Sequence, residues 1–245
     1  MRLLIKMDDV KKQYIDYAYN KLSGFIYSLL KKDFSSLHDK KDDYKFFCFS
    51  NIFGDSQKYL IISSPLKKII NSLYEQLMLK KKHEDVINIG EMQFRITDVQ
   101  PIDIVLPRRN IHIVSSTPII IRIPEQKYDE YQIPEKERKR RYVYWRPHYP
   151  FHAFLKQLSE NLIKKYNHFY KTYIQNIDIF EQFSYKKTVY NKLFIHGEGH
   201  KFAATMWEFE WSYVDDFQYK LIKFGLDTGF GERNTMGFGF VNLKK

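Results

Sequence analysis

Twice along this 245-residue chain an apolar strand pattern is followed by a helical stripe, two more strand patterns, a second helical stripe and a closing strand. Few folds accept that order, because every helix must bury one face and every strand must find a partner. In the first half, residues 2–7 read as a strand, and Tyr17, Leu22, Phe25, Ile26, Leu29 and Leu30 recur at helical spacing. Residues 45–52, dense in aromatics, predict a buried strand, and residues 58–63 predict another after a turn at Gly54 and Asp55. Ser64 and Pro65 predict a helix start, with Ser64 as N-cap and Leu66, Ile69, Ile70, Leu73 and Leu77 as the apolar stripe. Residues 86–104 carry strand segments broken at Gly90 and Pro101.

The second half repeats the scheme less cleanly. Residues 111–123 are rich in β-branched side chains, and residues 150–173 form a long helical stretch with Phe154, Leu155, Leu158, Leu162 and Tyr166 on one side. Two strands follow, over 177–194 and 201–213, joined at 196–199. Asp215 or Asp216 caps a short helix through Phe217, Leu221 and Phe224 that ends at Gly225, and residues 238–243 form the last strand. The expected fold class is therefore α+β, two tandem ferredoxin-like domains (RRM-like, βαββαβ) covering 1–107 and 108–245. No residue-level repeat relates the halves.

The net charge of +11 favours a polyanionic partner, since each phosphate met by Lys or Arg releases condensed counterions. A Lys-rich surface that merely keeps the protein soluble explains the charge equally well. Aromatics at 17% tilt the balance toward nucleic acid, because rings that are not core can stack on unpaired bases. Cys48 is the only cysteine, which excludes an internal disulfide and any Cys-based zinc site. The apolar run at the N-terminus is too short for a signal peptide, and no uninterrupted apolar stretch is long enough to span a bilayer. The expected location is the cytoplasm, without membrane contact.

The sharpest local motif is Gly229-Phe230-Gly231-Glu232-Arg233-Asn234-Thr235-Met236-Gly237-Phe238-Gly239, between the last helix and the last strand. Glycines there would let backbone amides close on phosphate oxygens. A glycine-rich turn demanded by backbone geometry alone is the other reading. Gly-hydrophobic-Gly, five residues, Gly-hydrophobic-Gly at the end of such a chain resembles the RAMP superfamily of CRISPR-associated proteins. Within it, the chain is most similar to the repeat-cleaving endoribonucleases that mature CRISPR transcripts. The likeness extends to the start MRLLIKM, the helix YNKLSGFIY, the strand KFFCFSNIFG and the Ser-Ser-Pro helix start.

That resemblance implies a catalytic triad on Tyr27, His38 and Lys45, and RNA cleavage by the RNA's own 2′-hydroxyl, leaving a 2′,3′-cyclic phosphate and a 5′-hydroxyl. It implies no metal and no cofactor. The residue types suit the chemistry: an imidazole moves protons near neutral pH, a phenol donates or positions, and a lysine stabilises the crowded phosphorane oxygens. His38 is assigned as acid, Tyr27 as base or positioning group and Lys45 as electrostatic stabiliser, with acid and base exchangeable. Without the resemblance the three read as a core tyrosine, a loop histidine and a strand-edge lysine.

RNA contacts are expected from Gly229, Gly231, Arg233, Asn234, Gly237 and Gly239, and from Arg138, Lys139, Arg140 and Arg141. The latter lie in a run (135–146) that interleaves six cations with Tyr142, Tyr144 and Trp145, fit to grip a backbone and stack a base; a solvated charged loop is the alternative. His148 with His152, and His196 with His200, lack a third ligand, so no metal site is assigned. The expected partner is CRISPR repeat RNA, with CRISPR effector subunits and a second copy of the chain as further candidates. Two rival functions stay open. One is a non-catalytic RAMP-type subunit that holds guide RNA; the other is a metal-dependent nuclease, for which no clustered carboxylates are seen.

Overall fold

A computed structural model describes residues 1–11, 19–30, 44–175, 177–195 and 198–244. The chain forms two compact units, one of Met1–Val105 with Asn234–Gly237, the other of Leu106–Arg233 with Phe238–Lys245. Among the described residues no helix is long and apolar enough to cross a membrane.

The first unit runs β1 (Arg2–Lys11), α1 (Tyr19–Leu30), β2 (Cys48–Phe49), β3 (Lys58–Ser63), α2 (Lys67–Lys82), β4 (Val86–Ile89) and β5 (Met92–Ile102). Its antiparallel sheet has the order β2-β3-β1-β5-β4. Without the β4 hairpin strand at the edge, that is the ferredoxin-like order. Alternation along β1 buries Leu3, Ile5 and Met7, which join the stripes of α1 (Leu22, Phe25, Ile26, Leu29) and α2 (Ile69, Ile70, Leu73, Leu77) in one core.

Three local expectations need correction here. The aromatic segment expected as a long strand pairs only at Cys48–Phe49. Ser64 is not the N-cap of α2. The cap is Leu66, and the wholly buried Ser64 hydroxyl instead donates to the Phe46 carbonyl at 2.7 Å while accepting from Leu66 N at 3.1 Å. Nor does Pro101 break β5, which pairs through it with Leu3. β4 reaches along β5 only as far as Arg95, so beyond it one edge of β5 has no described partner strand, and a missing N–H there costs no ladder bond.

The second unit runs β6 (Arg109–Ser115), β7 (Arg122–Pro124), β8 (Tyr142–Tyr144), α3 (Phe151–Tyr170), β9 (Gln182–Ile195), β10 (Glu198–Tyr213), α4 (Asp216–Thr228) and β11 (Val241–Leu243). β6, β9, β10 and β11 form a four-stranded sheet of order β11-β6-β10-β9, again ferredoxin-like. β7 and β8 pair separately, within the connection between β6 and α3. Aromatic packing dominates the core: the rings of Phe154 and Trp207 stack at 4.2 Å, and Trp145 meets Phe154 at 5.0 Å.

α4 starts where Asp215 and Gln218 form a reciprocal capping box. It does not end at Gly225 as expected but runs to Thr228 and closes on Gly229, at φ +84°. Gly225 is a packing position. A Cβ there would lie 2.4 Å from the ring of Phe230, so the glycine exists to admit that ring.

Candidate active site and nucleic-acid interface

The first unit holds the site built around Tyr27. The side chain projects half-buried from α1, edge-on to the Phe47 ring at 5.5 Å and 70°. The Thr235 side chain hydrogen-bonds the Tyr27 hydroxyl, and Ser23 Oγ, one turn earlier on α1, donates to the Thr235 carbonyl at 2.8 Å. Gly237 closes this corner at φ +92°, where a Cβ would lie 2.5 Å from Tyr19 and 3.0 Å from Phe49. Only glycine meets both demands. Burial pushes the Tyr27 phenol above its ordinary pKa, and the Thr235 hydrogen bond opposes that rise without cancelling it.

Lys45 lies half-buried in the irregular stretch just before β2, close in sequence to Phe47, whose ring meets Tyr27. Next to it Phe46 holds φ +48°, a left-handed conformation that costs a bulky residue about 1–2 kcal/mol. The Ser64 hydrogen bond to Phe46 O fixes that kink. Tyr27 and Lys45 are thus both tied to the Phe46–Phe47 stretch. His38 lies outside the described residues. The contacts of Thr235, Ser23 and Ser64 are not legible in the sequence, where a hydroxyl carries no sign of its partner.

In the second unit the glycine-rich loop is bound from within. Lys165, on α3 and almost wholly buried, donates to the carbonyls of Gly229 at 2.6 Å and Gly231 at 3.1 Å. Gly231, at φ +68°, sits where a Cβ would meet the Ile120 carbonyl at 2.6 Å. The amides of Gly229 and Gly239 donate to Gly225 O and Pro118 O, and that of Gly237, in the first unit, donates to Asn234 O. Those three amides are committed inside the fold. Both motif phenylalanines, Phe230 and Phe238, are core residues.

One of the loop's polar side chains, Arg233, lies 4.7 Å over the ring of Phe202. Phe202 lines a cleft of about 940 Å³ together with residues 136–144, Arg146, Tyr149, Tyr190 and Ala203. The sequence-predicted cations therefore converge within one unit: Arg138–Arg141 line the cleft, and Arg233 covers one of its rings. Their side chains differ in commitment. Arg138 is paired with Asp129 at 2.7 Å and donates to Ile133 O, whereas Lys139, Arg140 and Arg141 are exposed and have no carboxylate partner among the described residues. The backbone beneath them is pinned by Tyr128 Oη to Lys139 O (2.7 Å) and Arg141 N to Glu125 (2.9 Å).

Trp145 corrects an expectation: it is 2% exposed, its indole donates to Pro150 O, and it belongs to the core. The aromatic faces of the cleft come from Tyr142, Tyr144 and Tyr190. Tyr142 takes the guanidinium of Arg122 over its ring at 4.7 Å, and Arg122 is itself bonded to the Glu232 carboxylate. Elsewhere His148 bonds Glu137, His152 packs on Tyr131, and His196 lies outside the described residues. His112, Glu208 and Glu210 gather on one face of the second sheet, where Lys186 (3.1 Å) and Lys244 (3.4 Å) meet the Glu208 carboxylate and hold its pKa down. That cluster is an ion-pair network.

The tyrosines give a pH prediction. Burial holds Tyr27, Tyr128, Tyr131, Tyr166 and Tyr170 above the ordinary value of 10.0. Below about pH 10 neither the folded nor the unfolded chain ionises them. Above it the unfolded phenols lose protons first, so the stability they contribute falls as pH rises through the folded values. A phenolate absorbance titration of native protein will lie alkaline of the same titration in denaturant; coincident curves would contradict this.

Comparison with known proteins bears on both units. Residues 104–243 match the family described as CRISPR associated protein Cas6, C-terminal. The CRISPR-associated endoribonuclease Cas6 2 of Methanocaldococcus jannaschii is 28% identical over 257 residues, covering 97% of this chain and 98% of the relative. The CRISPR-associated endoribonuclease Cas6 of Haloferax mediterranei is 27% identical, covering 99% and 93%. Two solved structures share the fold over the whole chain. One, titled CRISPR associated protein Cas6, has a TM-score of 0.71 at 24% identity and is itself covered to 99%. The other, titled An RAMP protein binding different RNA substrates, has 0.72 at 18% and is covered to 100%.

Proposed function

This chain belongs to the CRISPR associated protein Cas6 family, and from that premise we propose that it is an endoribonuclease that cuts CRISPR repeat RNA into guide RNAs without a metal ion. The observation that carries the proposal is the Tyr27 corner, where a phenol is held by Thr235 and Phe47 beside the segment that bears Lys45.

In the proposed reaction the 2′-oxygen forms a bond to the adjacent phosphorus and the bond from phosphorus to the 5′-oxygen breaks. One group takes the 2′-hydroxyl proton and another delivers a proton to the departing oxygen. Burial keeps Tyr27 a neutral phenol, which favours it as the donor to the leaving oxygen rather than the base. His38 then takes the 2′-hydroxyl proton, the exchange of roles that the sequence left open. Lys45 supplies the positive charge for the phosphorane oxygens. The cations around Arg140 and Arg233 hold the RNA backbone.

This assignment has a sign. With His38 as base, the cleavage rate rises with pH as the imidazole loses its proton and then levels. With His38 as acid it would fall over the same window. Thr235→Val keeps the shape and removes the hydroxyl that orients Tyr27, so cleavage slows by about 2- to 10-fold at unchanged RNA affinity. Thr235→Ser restores the rate. Mass analysis of the upstream product will show a 2′,3′-cyclic phosphate. A 3′-hydroxyl product would contradict the mechanism, and tight binding without cleavage would make the chain a guide-RNA holder.

A further inference from the structure

The cleft in the second unit goes beyond a grip on phosphates. Its chemistry has two parts. Lys139, Arg140 and Arg141 present exposed cations along one stretch of backbone, and Glu137, the one carboxylate among the described lining residues, is bonded to Tyr149 at 2.7 Å and to His148 at 3.0 Å. That excess of positive charge selects a polyanion. The second part is aromatic. Tyr190, on β9, is 72% exposed although it lines a cleft beside Tyr144, whose ring stands edge-on to Phe202 at 5.4 Å. Phe202 is buried, with the Arg233 guanidinium over it, whereas Tyr190 on the same cleft is largely exposed.

We infer that this cleft is a subsite for single-stranded RNA, in which Tyr190 stacks on an unpaired base while Lys139, Arg140 and Arg141 hold the flanking phosphates. A duplex keeps its base faces inside its own stack and offers an aromatic side chain only backbone and groove edges. A protruding tyrosine gains nothing from it. An unpaired strand offers a ring face at every nucleotide, and the cleft volume falls within the range of about 300–1,000 Å³ that accepts ligands of nucleotide size. The inference rests on the reading of the chain as an RNA-cleaving protein and adds the state of the RNA it takes here: an unstructured segment of the repeat, away from any hairpin stem.

The test is fluorescence anisotropy with two labelled probes, a short oligoadenylate single strand and a blunt RNA duplex of mixed sequence. Wild-type protein will bind the single strand more tightly. Tyr190→Ala will weaken single-strand binding by about ten-fold and Tyr190→Phe will keep it, because stacking needs the ring and not the hydroxyl. Arg140→Gln and Arg141→Gln will each lower the slope of log affinity against log salt by about 0.7. Tyr190 is exposed, so an unchanged melting temperature will show that its variant folds. Single-strand affinity unaffected by Tyr190→Ala, or a duplex bound as tightly as the single strand, would overturn the inference. Repeat cleavage, assayed in parallel, separates the two readings. Loss of stacking in a chain that cuts nothing leaves the cleft standing and removes the enzyme; cleavage with an indifferent Tyr190 does the reverse.

Discussion

His38→Ala is expected to slow cleavage of repeat RNA by about 10²- to 10⁴-fold while leaving RNA affinity within about two-fold, the loss of one proton-transfer group in the transition state. The separation of effects follows from the placement of functions. The cations lining the cleft lie in the second unit, together with Tyr190 and Arg233. The cleavage chemistry is assigned to Tyr27 and His38 for proton transfer and to Lys45 for charge stabilisation, all within 1–107. Cleavage kinetics under single turnover and anisotropy on the same variant check it. Equal losses in both would mean that His38 binds rather than reacts.

The largest expected effect on folding falls on Lys165. Its ammonium is almost fully buried and bridges the carbonyls of Gly229 and Gly231. Lys165→Met keeps the volume of the stem and leaves those acceptors without their donor. At about 1–3 kcal/mol for each of the two buried carbonyls left unsatisfied, the cost is roughly 2–6 kcal/mol. In a chain of this size each kcal/mol corresponds to about 2–4 °C, so melting falls by roughly 4–24 °C. The loop is freed as well, and trypsin will cut sooner after Arg233. A variant that melts with the wild type would show that the bridge contributes nothing.

Both ferredoxin-like patterns were legible because they depend on periodicity, and Leu22 with Phe25, Ile26 and Leu29 cannot be read as anything but a helical stripe. Features set by one long-range contact were not. Gly225 looks like a helix end until the Phe230 ring that fills its missing side chain is seen. Ser64 looks like a cap, yet its hydroxyl serves Phe46. β7 and β8 are three residues each, and Pro124 sits in one of them, so no alternation could show. Trp145 reads as a surface ring because cations flank it in sequence, whereas its side chain is buried in the core while Tyr142 and Tyr144 line the cleft.

The candidate site divides the same way. Residue types and their order pointed to Tyr27, His38 and Lys45 only through a family likeness, since three scattered polar residues carry no spacing signal. Lys165 did carry one: it stands at i+3 and i+7 from Leu162 and Leu158, on the buried stripe of α3, where a lysine needs a partner. Tyr190 had none, being one aromatic among many along a strand until the cleft beside it is known.

The most direct test of the central claim uses purified protein in chelating buffer with two repeat RNAs, identical except for a single 2′-deoxy nucleotide just upstream of the cut. Attack by the RNA's own hydroxyl without metal predicts that the all-ribose strand is cleaved and the substituted strand survives intact. Cleavage of the 2′-deoxy strand, or loss of all cleavage in chelator that added magnesium restores, would contradict it.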